Sequence, residues 1–420
     1  MFKLFVKKNI LSFFLFFFFF QGFAFLAVAL QSSEGDALLA LLLRKGVLSE
    51  EEVAEVRSEI KAADKGSRSS ASLADSQTVT KGESPFDFSG NLRLRVKNQE
   101  KSSKDTTSFR LRALLKGTCH LSDKMFVSGR ISTGGSNPRS SDIIFKDGFS
   151  GKEIKIDHAF LNYSPCENWH FRAGKFGRDF SSASTMLWDS DLSYEGISLK
   201  GTIYSKESFD IGTYMSLYLL DQEGEERVGM YLFQPSFRWQ VQDDMCWKFS
   251  IGYLGLDNLK DLPLSDISDR LSVDSGNTLD AHGQYLLYDY DALILSSVWG
   301  FASRCVPWVS LKAEFTETFD EDAHDKKAYM LGLELGEKSC DAKGDWKFYY
   351  EYRDIKPDSF FSGLLDSDFG GGKTGVRGSK LALKYTIADE VFLTFTYLDT
   401  ESMKNDEKER LFMSDIVVNF

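Results

Sequence analysis

The side chains best placed to do chemistry are basic and recur at every second position. Arg93, Arg95 and Lys97 open the series, Arg110, Arg112 and Lys116 repeat it, and Arg130, Lys155 and Arg172 follow. Guanidinium and ammonium groups hold and orient anions. A row of them repels itself unless carboxylates or solute anions stand opposite. A segment at about 177–194 supplies Asp179, Asp189 and Asp191 beside Trp188. A basic wall facing an acidic, aromatic loop would set up a transverse field that orients polar solutes and selects by charge. The alternative is that these charges are solvated and compensate one another without selectivity.

Other chemistry finds little support. Gly370-Gly371-Gly372-Lys373-Thr374 resembles the end of a phosphate-binding loop, but Ser367 stands where the leading glycine belongs and strand pattern follows. No nucleophile elbow accompanies His120, His158 or His170, so no enzymatic activity and no cofactor are expected. Cys119, Cys166, Cys246, Cys305 and Cys340 show no metal-ligand spacing, so no metal is expected. All five fall at or beside short turns. In an oxidising compartment they could cross-link an envelope, with at least one left over from any internal pairing; equally, they could be inert thiols. The formal net charge of -12 argues against a nucleic-acid partner.

Something must hold the basic residues on one face. From Pro85 onward the pattern has period two: Phe86, Phe88, Gly90, Leu92, Leu94 and Val96 alternate with Asp87, Ser89, Asn91, Arg93, Arg95 and Lys97. Phe109, Leu111, Ala113, Leu115 and Gly117 alternate in the same way with Arg110, Arg112, Lys116 and Thr118. Such alternation puts one face in an apolar medium and the other in water. About sixteen segments of this kind run to Phe420, joined alternately by short turns such as Ser122-Asp123-Lys124 and long polar loops near 134–151 and 257–283. Aromatics form 14% of the chain, with 36 Phe, 16 Tyr and only 7 Pro, as strands with interfacial aromatic girdles require. The fold expected is all-β: a transmembrane antiparallel β-barrel over 85–420, the basic residues lining its lumen and the lipid of an outer membrane around it.

The start of the chain differs. Lys3, Lys7 and Lys8, an apolar run from Ile10 to Phe25, and Ala27-Val28-Ala29 read as a signal peptide over 1–29 that exports the chain. Residues 30–63 predict a short periplasmic helical hairpin, with Gly46 ending one helix and Ser49 and Glu52 capping the next. Residues 64–84, rich in Ser, Thr, Lys and Gly, read as a flexible linker.

Several blocks resemble the bacterial putative porin family, outer-membrane β-barrels related in architecture to general and phosphate-selective porins. They are Gly90-Asn91-Leu92-Arg93-Leu94-Arg95, Phe109-Arg110-Leu111-Arg112, Arg130-Ile131-Ser132-Thr133-Gly134 and Ala173-Gly174-Lys175. Met186-Leu187-Trp188-Asp189-Ser190-Asp191-Leu192 with Glu195-Gly196, and Asp366-Ser367-Asp368-Phe369-Gly370, are more specific. Arg178-Asp179 departs from the pattern, where Asn-Pro is expected. The resemblance covers most of the chain after residue 29. It implies passive passage of small hydrophilic solutes through the outer membrane of a Gram-negative-type bacterium, often as a homotrimer. It also implies that the terminal Phe420 is read by the barrel insertion machinery. A second reading is structural: the helices and rim cysteines would anchor the envelope.

Overall fold

The computed structural model describes residues 85–102, 104–223, 226–242, 244–265 and 276–420. The leader, hairpin and linker expected over 1–84 lie outside these residues. Sixteen long strands and one two-residue strand follow in order: β1 Phe86–Lys101, β2 Lys104–Ser122, β3 Met125–Thr133, β4 Ile143–Ile144, β5 Ile154–Cys166, β6 Trp169–Gly177, β7 Ser193–Lys206 and β8 Phe209–Glu223. Then come β9 Glu226–Gln242, β10 Met245–Asp257, β11 Ala292–Phe301, β12 Trp308–Thr318, β13 Lys327–Gly336, β14 Trp346–Ile355, β15 Val376–Ala388, β16 Val391–Ser402 and β17 Lys408–Asn419. Each long strand pairs antiparallel with its neighbours in the chain, and β1 pairs with β17 from Asn91↔Asn419 to Lys101↔Glu409. The sheet is therefore a closed sixteen-stranded barrel, which leaves no unpaired edge.

The alternation read from the sequence sets the two faces. Leu217, Tyr231, Phe233, Leu311, Leu331 and Tyr350 stand exposed on the outside. Six of the seven tryptophans, all but Trp188, sit near one end of the barrel. Three of these are register neighbours, Trp239↔Trp247↔Trp299, and form part of a girdle. Turns at that end are short, as at 123–124, 167–168 and 389–390. The opposite end carries the segments 134–153, 178–192, 258–265, 276–291 and 356–375. The two sides do not alternate strictly, because β1 and β2, β8 and β9, and β16 and β17 follow each other closely in sequence at the long-loop end. Strand β11 begins at Ala292, and residues 288–291 belong to the preceding loop.

The long loops turn inward. Phe180, Met186, Leu187 and Trp188 from 178–192 are buried against Leu259, Leu262, Leu286, Tyr288 and Tyr290, and against Phe360, Phe361, Leu364 and Phe369. The barrel wall meets them with inward-facing Val228, Met230, Leu232, Leu254, Ala292, Ile294 and Met330. A packed apolar plug thus fills part of the lumen at the long-loop end.

Candidate functional site

The opposite part of the wall, β1 to β6, carries the basic residues on its inner face, with Phe160 and Phe176 of β5 and β6 joining the apolar core. The β1–β2 register sets Arg93 beside Arg112 and Arg95 beside Arg110, so four guanidinium groups stand in a two-by-two array. Such an array is stable only with carboxylates among it, and the structure supplies one from each of three loops. Asp142 of segment 134–153 lies 2.6 Å from Arg93 and 3.8 Å from both Arg95 and Arg110. Asp191 of segment 178–192 lies 3.2 Å from Arg112. Asp368 of segment 356–375 lies 2.8 Å from Lys97 and 3.3 Å from Arg95. A fourth, Asp415, comes from the adjoining strand β17 and accepts two hydrogen bonds from Arg95, at 2.7 and 2.9 Å.

Further round the wall, a bulge in the β3–β5 pairing leaves Asp157 without a register partner and aims its carboxylate at Arg130, 2.5 Å away. Arg172 pairs with Asp179 at 3.1 Å and lies over the Phe160 ring. Lys155 donates to the backbone oxygens of Asn137 and Ser140. Lys116 is exposed, on the same face as its register partner Arg130. Gly174 and Gly196, opposite each other on β6 and β7, let neighbouring backbone approach closely here. A side chain at Gly174, whose φ is +127°, would stand 2.3 Å from the carbonyl oxygen of Ala159.

Segment 178–192 divides its roles. Asp191 alone of its expected constriction residues reaches the four-guanidinium array. Asp179 bridges Arg172 and Lys200 at 3.1 and 2.9 Å, away from that array. Trp188 is packed edge-on between Phe180 and Phe360, with ring centroids 4.6 and 5.4 Å away, and does not line a passage. Asp189 is buried behind it, accepting hydrogen bonds from the backbone nitrogens of Asp191 and Ser367 at 2.8 Å each. Burial, with Asp366 nearby, pushes its carboxyl up to about 6.

What holds this segment across the barrel was not expected from sequence. Ser182 and Ser184 donate to Glu314 of β12 at 2.8 and 2.7 Å, and Gln234 of β9 makes two hydrogen bonds to the Ser181 backbone. Thr185 donates to Asp366, which also pairs at 2.8 Å with the fully buried Arg353. Burial opposes ionisation of Asp366, but Lys380, Arg353 and the Thr185 hydroxyl outweigh it and hold the group far below the usual carboxylate range. Backbone groups inside the plug are satisfied in the same manner: Asn277 donates to the carbonyls of Pro357 and Phe360 and accepts from the Ser362 nitrogen.

The five cysteines all stand at the short-turn end and are unpaired; Cys166 and Cys305 are exposed, Cys119 and Cys246 half-buried and Cys340 buried. Phe420 closes the seam between last and first strands. Its backbone pairs with Gly90 in both directions, and its ring lies where a side chain on Gly90 would be, 2.3 Å from a Cβ.

A closed sixteen-stranded barrel with inserted loops and a charged inner wall agrees with the family comparison. The model of the family described as "Putative porin" matches residues 49–254 and 297–419. The chain belongs to this family. Among solved structures, it is similar to OprB of Pseudomonas putida, at high pH, with 12% identity and a TM-score of 0.52 over 80% of this chain and 94% of that one. An OmpT loop-deletion mutant from Vibrio cholerae follows at 14% identity and a TM-score of 0.46, covering 80% of this chain and 99% of that one. A Rhodopseudomonas blastica porin triple mutant aligns at 12% identity and 0.43, covering 80% of this chain and all 100% of that one. No curated protein matches the sequence. At 12% identity the likeness to OprB speaks for the fold alone. Together with the family match it makes this an outer-membrane porin barrel, a family and fold that point to a channel.

Proposed function

We propose that this porin passes small hydrophilic solutes by diffusion along the β1–β6 wall, with a preference for anions. The observation that carries the reading is the four-guanidinium array facing three inserted loops. With Lys97 the array holds five cations against the four carboxylates Asp142, Asp191, Asp368 and Asp415, and Lys155 further along the wall is held by carbonyl oxygens, so the charge balance leans positive. Lumen charge of this kind tunes selectivity, whereas plugged, apolar lumen does not conduct ions. The short-turn end faces the periplasm in this reading and the long loops face outward, with residues 1–29 as export leader and 30–63 as a periplasmic hairpin. A homotrimer in outer-membrane lipid, inserted through recognition of Phe420, is the expected assembly.

The test is the reversal potential of purified protein in planar bilayers under a potassium chloride gradient. Wild type should favour chloride, and the triple substitution Arg93→Ala, Arg95→Ala, Arg112→Ala should move the potential toward potassium. An unmoved potential removes the anion preference. Absence of steady openings in wild type removes the channel itself.

A second role is supported by the placement of the cysteines. Five unpaired thiols at one end, two of them exposed on separate turns, suit cross-linking to neighbours in an oxidising periplasm. Envelope extracts run without reductant should then show a ladder that collapses to monomer on reduction; monomer in both lanes counts against it.

A further inference from the structure

The seat of the Asp142 carboxylate has the composition of a ligand site. It lies on the inner face of β1 and β2, with Arg93 donating to Oδ1 at 2.6 Å, and Arg95 and Arg110 both 3.8 Å from Oδ2. The side chain is only 5% exposed. One carboxylate therefore sits among three cations contributed by two paired strands, while its own chain comes from a loop. The loop reaches this point because β4 pairs with β2 at Ile143↔Leu111 and Ile144↔Arg110, and Phe145 donates to the Phe109 carbonyl. Beyond that anchor the segment runs outward, with Phe145 and Phe149 exposed. Arg95 is also satisfied by Asp415 and Asp368, but Arg110 otherwise bonds only Ser108 among the described residues.

We propose that this seat is an oxyanion-binding site, occupied in the structure by Asp142 as a tethered competitor, and that a small doubly charged oxyanion takes the same place when it enters the channel. The inference rests on the porin reading and names the solute class. The chemistry favours a ligand with two or more oxygens about a carboxylate's span apart, because Arg93 contacts one oxygen and Arg95 with Arg110 face the other. A phosphate or a carboxylate satisfies all three; a chloride ion cannot bridge them. The second charge matters because removing Asp142 leaves three guanidinium groups with one anion fewer. A site shared with an internal anion also suits conduction, since the tethered carboxylate competes for the seat and keeps solute from binding too tightly to leave.

Calorimetric binding of inorganic phosphate to the full chain, folded in detergent, reads the seat directly, with succinate in a parallel arm to separate phosphate from dicarboxylate recognition. Asp142→Ala should bind at least one of the two about tenfold more tightly than wild type, and adding Arg93→Ala should abolish the gain. Heat-modified gel mobility identifies folded barrel; if Asp142→Ala fails that check, Asp142→Ser replaces it. Equal affinity of wild type and variant, or a gain that survives loss of Arg93, overturns the proposal. In bilayers the same anion should block the variant at about one tenth of the wild-type concentration. Should wild type bind as expected yet never conduct, the porin reading fails and the site stands.

Discussion

The inner faces of β1–β3 and of β9–β11 obey the same alternation and come to opposite ends. On β1 and β2 the inward positions are Arg93, Arg95, Lys97, Arg110 and Arg112; on β9 to β11 they are Val228, Met230, Leu232, Leu254, Ala292 and Ile294. The first group meets loop aspartates and stays partly wetted. The second group meets loop leucines, phenylalanines and Trp188, and is dry. A barrel lumen is thus not one environment: the inward side chains decide, strand by strand, whether a loop is held by charge or by burial. Holding by burial is non-directional and scales with apolar area. Holding by charge depends on a few short contacts and on what else competes for them.

The largest expected effect breaks the buried side. Trp188→Ala removes a side chain that is 1% exposed and clasped by Phe180 and Phe360. Loss of such a ring should cost about 3–5 kcal/mol. The damage should be local, because the sixteen strands close without it. Denaturant unfolding in detergent should keep the main barrel transition, while protease cleavage within 178–192 accelerates and single-channel conductance rises. Unchanged conductance and cleavage would show that the plug does not depend on this ring.

Half of this contrast is legible in the sequence. Sixteen alternating segments place every long strand, and the even spacing of Arg93, Arg95, Arg110 and Arg112 puts them on one face. Asp415 was legible too, since it lies opposite Phe412, Ser414, Ile416 and Val418 on the last strand, and closure sets that strand beside β1. Asp142 and Asp368 were not, because no local pattern says where a loop residue lands once the loop folds inward. The plug left a trace that alternation alone passes over. At Met230–Phe233 and Ala292–Leu295 both faces are apolar in succession. A strand with lipid on one side and apolar side chains on the other must be covered by protein within the lumen. Glu314 gave no such trace, since its loop partners Ser182 and Ser184 lie some 130 residues away along the chain.

A smaller effect sharpens the contrast by comparing two arginines. Arg353 is wholly buried between Glu351 and Asp366, at 2.6 and 2.8 Å, with Phe369 against its guanidinium. Arg353→Met strips Glu351 of its ion-pair partner and leaves Asp366 with Lys380 alone, 3.5 Å away, in a dry site, a change that should cost about 3–5 kcal/mol. Arg112→Met removes a partner from Asp191 and Asn91 at the wetted wall. Water can replace it there, and the loss should be about 1–2 kcal/mol. Urea midpoints of the folded barrel measure both. Equal losses would mean that the charged wall is as dry as the plug.

The smallest effect concerns pH and lies where the two regions join. Asp189 sits behind Trp188 on the same segment that presents Asp191 to Arg112, and its carboxyl titrates near 6 rather than in the ordinary range. A native value raised above the unfolded one means that the folded segment binds the proton more tightly. Its stabilising contribution is therefore complete below about pH 4 and is lost as pH rises through 6. The shift corresponds to no more than about 3 kcal/mol between those limits. Amide exchange in 178–192, corrected for the intrinsic pH dependence of exchange, should show greatest protection near pH 4 and weaker protection by pH 7. Strand amides of β12, on the wall that holds Ser182 and Ser184, should change far less. Protection in the loop that instead rises through this window would mean that the ionised carboxylate, with its two backbone hydrogen bonds, is the form that fastens the plug to the charged wall.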